Sequence, residues 1–179
     1  MSSSADGLFK YQTGKAGAQA LGYAADIIAE IPDDLLSSFC GVGNPFTLGE
    51  VVEGSDILDI GCGAGFDLIV ARKKTGPDGR VCGVDLSPEM VGRARSNLEK
   101  LGMNDIETFV VLSENLPFQD SSFDLVISNG VINLSPAKDQ LFAEIFRVLR
   151  PGGRLQMADI VLDCEPPSHI TGSLEAWSQ

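Results

Sequence analysis

The residues with the clearest chemical use stand together at 57–67, reading Ile57-Leu58-Asp59-Ile60-Gly61-Cys62-Gly63-Ala64-Gly65-Phe66-Asp67. The opening apolar run has the character of a buried parallel strand. Glycines at Gly61, Gly63 and Gly65 let the backbone turn sharply and let a ligand approach where a Cβ would otherwise stand. A helix opening at Phe66 offers its first amides to that ligand. The spacing is G-x-G-x-G, whereas a dinucleotide fingerprint would place its third glycine at 66, which is Phe. Asp85 closes the next apolar run, Arg80-Val81-Cys82-Gly83-Val84-Asp85, 20 positions after Gly65. An acid at that place can accept both ribose hydroxyls of an adenosine ligand.

These side chains need a scaffold, and the patterning supplies one. Apolar residues recur at helical spacing from Ala16 to Ile31 and predict a single helix up to Pro32. Asp33 or Asp34 caps a short second helix through Phe39, and Cys40–Phe46 is rich in turn formers. A helix over 66–75 stops at Thr75-Gly76-Pro77-Asp78-Gly79 and leads to a strand over 80–85. Ser87 caps a helix over 88–101, with Pro88 at its first position and Gly102 at its stop. Strands follow over 106–111 and 123–129. A helix over 136–149 then presents Leu141, Phe142, Ile145, Val148 and Leu149 as a core face. Pro151-Gly152-Gly153 breaks it before a last strand over 154–161.

Five strands alternating with helices predict an α/β fold, a doubly wound and mostly parallel sheet with helices on both faces. Ligands of such sheets bind beyond the carboxyl ends of the strands, where the strand order reverses. That rule gathers Gly61–Gly65, Asp85, Ser113 and the stretch 128–134 around one crevice. The helical segment before the first strand is expected to cover it as a lid.

Composition narrows the partners. The 179 residues carry a net charge of −12, which disfavours nucleic acid or an anionic membrane, because phosphate neutralisation needs clustered Lys and Arg. No apolar run reaches transmembrane length and Met1-Ser2-Ser3-Ser4 lacks an apolar signal core, so the cytosol is the expected compartment. Four scattered cysteines, Cys40, Cys62, Cys82 and Cys164, include no C-x-x-C pair and indicate neither a metal site nor a disulfide framework.

Asp59–Asp67 together with Gly83-Val84-Asp85, and the later segments 123–134 and 147–160 in order, resemble the cofactor site of the class I S-adenosylmethionine-dependent methyltransferases. The resemblance implies a Rossmann-like fold, S-adenosylmethionine as cofactor and a small-molecule methyl acceptor. It implies cofactor contacts at Asp59, Gly61, Cys62, Gly63, Gly65, Asp85, Leu86, Met90, Leu112, Ser113, Glu114 and Ser128, with Met90 as an apolar wall for the adenine. Many members read G-D-A-x-x-L-P-F after the third strand, with the Asp accepting the adenine amino group, and here Leu112 holds that position. The division it implies is a helical lid over 1–50, a cofactor domain over 51–165 and a tail over 166–179. Members add a two-strand hairpin after the fifth strand, whereas only Asp163–Gln179 remain here, so the chain reads as incomplete. An uncovered fifth strand is an exposed edge that pairing with a second copy would relieve.

A narrower resemblance rests on Ser128-Asn129-Gly130-Val131-Ile132-Asn133-Leu134-Ser135-Pro136, Gly41–Pro45, and Phe146–Gly153 with Asp159-Ile160-Val161. These segments are similar to the arsenite methyltransferases, which hold As(III) through thiolates, soft ligands for a soft metalloid. The turn that supplies one such cysteine has Val42 here, with Cys40 two residues earlier, and another would follow Trp177. Cys62 and Cys82 read as core residues, and the lone His169 as solvated. Asn129 and Asn133 are the candidates for orienting the acceptor, a plain structural role for Asn133 being the alternative. Phe39, Tyr23 or Tyr11 is expected near the sulfonium, where an aromatic face attracts a cation. The readings set against an enzyme are a non-catalytic S-adenosylmethionine-binding scaffold and a Rossmann-like module for another nucleotide.

Overall fold

The computed structural model describes residues 11–161. The expectations for residues 1–10, Cys164, His169 and the tail over 166–179 lie outside the described residues. The element order is α1 (Gly14–Ala20), α2 (Ala25–Glu30), α3 (Asp33–Leu36), β1 (Ile57–Ile60), α4 (Phe66–Thr75), β2 (Val81–Asp85), α5 (Pro88–Lys100), β3 (Glu107–Val110), β4 (Phe123–Asn129), α6 (Lys138–Val148) and β5 (Leu149–Ala158). Short 3₁₀ turns at Pro45–Thr47 and Ile132–Leu134 precede β1 and α6.

The five strands form one sheet in the order β3-β2-β1-β4-β5, every pairing parallel. The order reverses between β1 and β4, as a doubly wound sheet requires. Alternation along the strands assigns the two faces. Ile57, Val81, Leu125 and Ile127 join one core with α4 and the helices of the N-terminal segment, while Leu58, Ile60, Val84 and Val126 join a second core with α6. Asp59 and Asn129 share the first face, so both point toward α4.

Two elements differ in kind from the sequence reading, and the helix expected over 136–149 runs Lys138–Val148 with Phe142 41 % exposed rather than in the core. The helix expected over 16–31 is two helices, because Gly22 takes a left-handed backbone (φ +77°). The Tyr23 amide donates to Ala18 O at 3.1 Å and the Gly22 amide to Gln19 O at 3.1 Å. That double closure is the glycine stop of a helix, and it outweighs apolar periodicity. The same closure ends α5 at Gly102, as its glycine predicts, with the Met103 amide on Leu98 O at 2.9 Å.

The second difference is β5, which begins at Leu149 rather than 154. Leu149 pairs with Phe123 and Arg154 with Leu125, so residues 150–153 loop out of the ladder. The excursion places Arg150 between Asp56 at 2.8 Å and Asp124 at 2.6 Å, bridging the amino ends of β1 and β4. These charge-assisted contacts hold the bulge in place.

Candidate active site at the strand carboxyl ends

The glycine loop follows β1 with no intervening residue. The amides of Gly61 and Cys62 both donate to Val84 O, at 2.8 and 3.0 Å, which ties the loop to the end of β2. Gly61 has φ +76°, and a Cβ there would stand 2.3 Å from the Val131 side chain. Gly63 has φ +52°, but a Cβ there would meet only Met90 Cε, at 3.7 Å. The first glycine is therefore fixed by packing as well as by backbone shape, and the second keeps ligand space open.

Asp85 lies at the end of β2 with both carboxylate oxygens engaged. Oδ2 accepts from the Gly63 amide and Oδ1 from the Ser87 amide, each at 2.9 Å. Each oxygen keeps a further lone pair for a ligand hydroxyl. Ser87 also accepts from the Met90 amide at 3.3 Å, capping α5 as its type and place predict.

Two cavities meet at Gly61. One, of about 320 Å³, is apolar, with Ile60, Val84, Leu86, Val111, Leu116, Val131, Leu134 and Leu141 forming its walls and Asp85, Ser113 and Glu114 at its polar edge. The other, of about 70 Å³, is bounded by Phe39, Cys40 and Gly41 from the N-terminal segment and by Asp59, Gly61–Gly63, Asp67, Met90 and Asn129. Asp59 is 2 % exposed, and its Oδ2 has no hydrogen-bond partner. Burial, with the Asp67 and Asp85 carboxylates nearby, pushes the Asp59 carboxyl well above its usual range. A cationic group placed against it would reverse that balance.

Across the second cavity lies an aromatic cluster. Tyr23 stacks edge-on to Phe66 at 4.9 Å and to Phe39 at 5.5 Å, and Phe39 lies 4.5 Å from Phe66. Of the three aromatics expected near a sulfonium, Phe39 lines this crevice, Tyr23 is buried behind it, and Tyr11 lines a separate groove with Leu21, Val42 and Ile160.

The structure brings Asp59, Gly61, Cys62, Gly63, Asp85, Leu86, Met90, Ser113 and Glu114 to the two cavities. Gly65 caps α4 behind the loop (φ +93°), its Cα side packed on Ala94. Met90 borders the smaller cavity beside Gly63, not the apolar pocket expected to take an adenine, because the first turn of α5 faces the glycine loop. Leu112 is 89 % exposed and lines neither cavity, so the polar edge falls to Ser113 and Glu114. Ser128 is buried, its hydroxyl donating to Ile60 O at 2.9 Å. Asn133 also stands apart: its amide donates to Asp159 Oδ2 at 2.9 Å and its buried Oδ1 has no partner.

Sequence reasoning assigned no role to Asp67, buried in the first turn of α4. An acid in a first helical turn ordinarily reads as a solvated dipole partner. Its burial comes from the fold, where the Tyr23 hydroxyl packs over it and donates to Oδ1 at 2.7 Å.

Cys62 and Cys82 are buried. Burial pushes the Cys62 thiol up and the Cys82 thiol to about 12, so both stay protonated at neutral pH. Cys40 is exposed. Among the described residues no three His, Cys, Asp or Glu side chains converge as a metal site. No helix among them is long and apolar enough to cross a membrane.

Comparison with known proteins agrees with this geometry. A family model described as a methyltransferase domain matches residues 52–179. An arsenite methyltransferase from Halobacterium salinarum is 40% identical over 159 residues, covering 89% of this chain and 40% of that protein. A demethylmenaquinone methyltransferase from Listeria welshimeri is 36% identical over 110 residues, covering 61% of this chain and 46% of that protein. The crystal structure of an arsenic(III) S-adenosylmethionine methyltransferase from Chlamydomonas reinhardtii superposes with a TM-score of 0.71 at 37% identity, covering 79% of this chain and 50% of that one. The chain belongs to the class I S-adenosylmethionine-dependent methyltransferases, of the arsenite-methyltransferase-like type. Its cofactor is accordingly S-adenosylmethionine. The chain spans less than half the length of the two curated relatives.

Proposed function

We propose that this chain carries the donor-binding and transfer machinery of a methyltransferase for a small-molecule acceptor. The observation that supports it best is the buried Asp59 carboxyl, whose Oδ2 has no partner, on the strand that runs into an open glycine loop. A buried lone-pair acceptor without a donor is costly unless a ligand completes it, and the ammonium of the methionine moiety is such a donor. Asp85 would accept the ribose hydroxyls. Leu86, Val111 and Leu116 would flank the adenine, and Glu114, whose Oε1 accepts from the Ser135 hydroxyl at 2.7 Å, would meet its amino group in place of the missing acid at 112.

When bound, the cofactor supplies an electrophilic methyl on a sulfonium. The chain's own part is alignment. Gly61, shared by both cavities, would lie beside the donor where the two cavities meet, and Phe39, which lines the smaller one, would supply an aromatic neighbour for positive charge, an attraction of ~1 kcal/mol. Holding donor and nucleophile in line replaces an encounter in solution and lowers the barrier by that route. The segment 11–50 serves as the lid and 51–161 as the cofactor domain.

The acceptor proposed is a small molecule not held by a thiolate cluster. The turn where arsenite methyltransferases offer a cysteine presents Val42, and Cys62 and Cys82 are buried, protonated thiols. The test pairs calorimetric titration of the 179-residue chain against S-adenosylhomocysteine and NAD with transfer of labelled methyl to arsenite, thiols and quinols. Saturable binding of S-adenosylhomocysteine alone, with transfer to a non-metalloid, is expected. Preference for NAD would end the donor reading. Efficient arsenite methylation that is lost on Cys40→Ser would instead assign Cys40 as a displaced ligand.

A further inference from the structure

Asn129, at the end of β4, uses both atoms of its side-chain amide. Oδ1 accepts from the Val42 amide at 2.9 Å and the Gly43 amide at 3.1 Å. Nδ2 donates to Gly43 O at 2.9 Å and lies 3.1 Å from both Asp67 Oδ2 and the Tyr23 hydroxyl oxygen. The Tyr23 hydroxyl in turn donates to Asp67 Oδ1 at 2.7 Å. Three elements remote in sequence thus close on the turn Gly41–Gly43. The fit is tight: a Cβ on Gly41 would stand 2.3 Å from Asn129 Nδ2 and 2.8 Å from the Phe39 ring. An amide so fully engaged has no lone pair or proton left for an acceptor.

The clasp adjoins the donor site. Asp67 and Asn129 line the same cavity as Asp59, and Asp59 carries the unpartnered oxygen. Ionised, Asp67 accepts from Tyr23 and Asn129 at once; protonated, it loses one of those acceptors. Two buried carboxylates close together resist joint ionisation, and a cation bound to one favours ionisation of the other.

We infer that Tyr23, Asp67 and Asn129 form a positioning clasp that seats the turn Gly41–Gly43 over the crevice, and that the donor's cationic end, on reaching Asp59, tightens it. Asn129 is then a positioning residue acting through the turn rather than an acceptor ligand. The inference rests on the donor reading above, and it orders the reaction: the donor enters first and completes the wall against which the acceptor sits. Burial raises the Asp67 carboxyl to about 6, so the protonated form, which a cation at Asp59 would discharge, is populated at and below that pH.

The test is amide hydrogen exchange at Val42 and Gly43, the two amides on Asn129 Oδ1, in the whole chain with and without S-adenosylhomocysteine. In the unsubstituted protein, bound ligand should slow both amides by about tenfold beyond their basal protection. Asn129→Leu should expose both amides and abolish the ligand's effect, while strand amides such as Leu58 keep their protection. Tyr23→Phe, a milder change that covers the case in which Asn129→Leu does not fold, should keep the basal protection and lose most of the ligand-induced slowing. A purely structural network would change the first quantity and leave the second intact. Binding without any slowing at Val42 and Gly43 overturns the coupling and leaves the donor reading standing. Absence of binding removes both, and protection that survives Asn129→Leu in a folded chain removes the clasp itself.

Discussion

The two walls of the crevice are made in different ways. The donor wall is contiguous chain: β1 runs straight into the glycine loop, and that loop is fastened by backbone amides to the end of β2 and by the Gly63 amide to Asp85. The facing wall, which we propose as the lid, is assembled from Tyr23, the 41–43 turn, Asp67 and Asn129, up to 106 residues apart, and is held by side chains. The donor wall is therefore a local property of the sequence, with little entropy left to lose on binding. The facing wall exists only when distant parts have already docked, which is the property the proposed clasp relies on.

The largest expected effect falls on the donor wall. Gly63→Val should cut S-adenosylhomocysteine affinity by ~100-fold or more by calorimetry, because its side chain enters open ligand space. The melt should stay cooperative but move to lower temperature: the nearest atom to the new Cβ is Met90 Cε at 3.7 Å, yet the left-handed backbone (φ +52°) strains a β-branched residue. Loss of the melt would make that glycine structural and blur the contrast between the walls.

Asp85→Ala comes next. Removing charged hydrogen bonds of ~1.5–3 kcal/mol should weaken binding about tenfold or more in the same titration. Asp85→Asn, able to keep one of the two backbone contacts, should recover part of the loss. Equal affinity in all three proteins would take the ribose contact away from Asp85.

On the lid side, Asp67 sets a pH dependence of stability. Its folded value of about 6 lies above the ordinary 3.8, so the folded chain holds this proton where the unfolded chain has released it. The stability contributed by the protonated form is complete below the lower value and is lost as pH rises through the higher. In melts at several pH values, Asp67→Asn should therefore gain on the unsubstituted protein between roughly pH 4 and 6. A constant offset would mean that Asp67 is ordinary in the fold.

The smallest effect belongs to Leu112→Asp. The family's acid at this position is absent, but the side chain is solvent-exposed and outside both cavities. Donor affinity should change less than about twofold, against a larger loss for Glu114→Gln. A large gain at 112 would show that the loop after β3 closes onto the adenine when ligand binds.

The contrast also explains what the sequence revealed. β1, β2, α4 and α5 were legible because glycine spacing, strand runs, the Ser87 cap and the Gly102 stop are local signals. The break at Gly22 carried a local signal too, but apolar periodicity on both sides masked it. Asn129 was singled out to orient the acceptor, yet its partners were not foreseen, since nothing in a linear chain announces that a strand-end amide will meet a turn 86 residues earlier. Asp67 was hidden for the opposite reason: its local setting suggests exposure, and only the packing of Tyr23 over it reveals burial.

The looped-out residues 150–153 bear on how such a protein can diversify. Arg150 ties Asp56 to Asp124 at the end of the sheet remote from the crevice, and so reinforces the β1–β4 alignment that the ladder itself sets. A one-residue slip would break both ion pairs and invert every inward-facing side chain. Insertions and substitutions in the loops at the opposite end can then accumulate without shifting the strands that carry them. The molecule keeps its frame of reference at one pole and leaves the loops at the other free to vary.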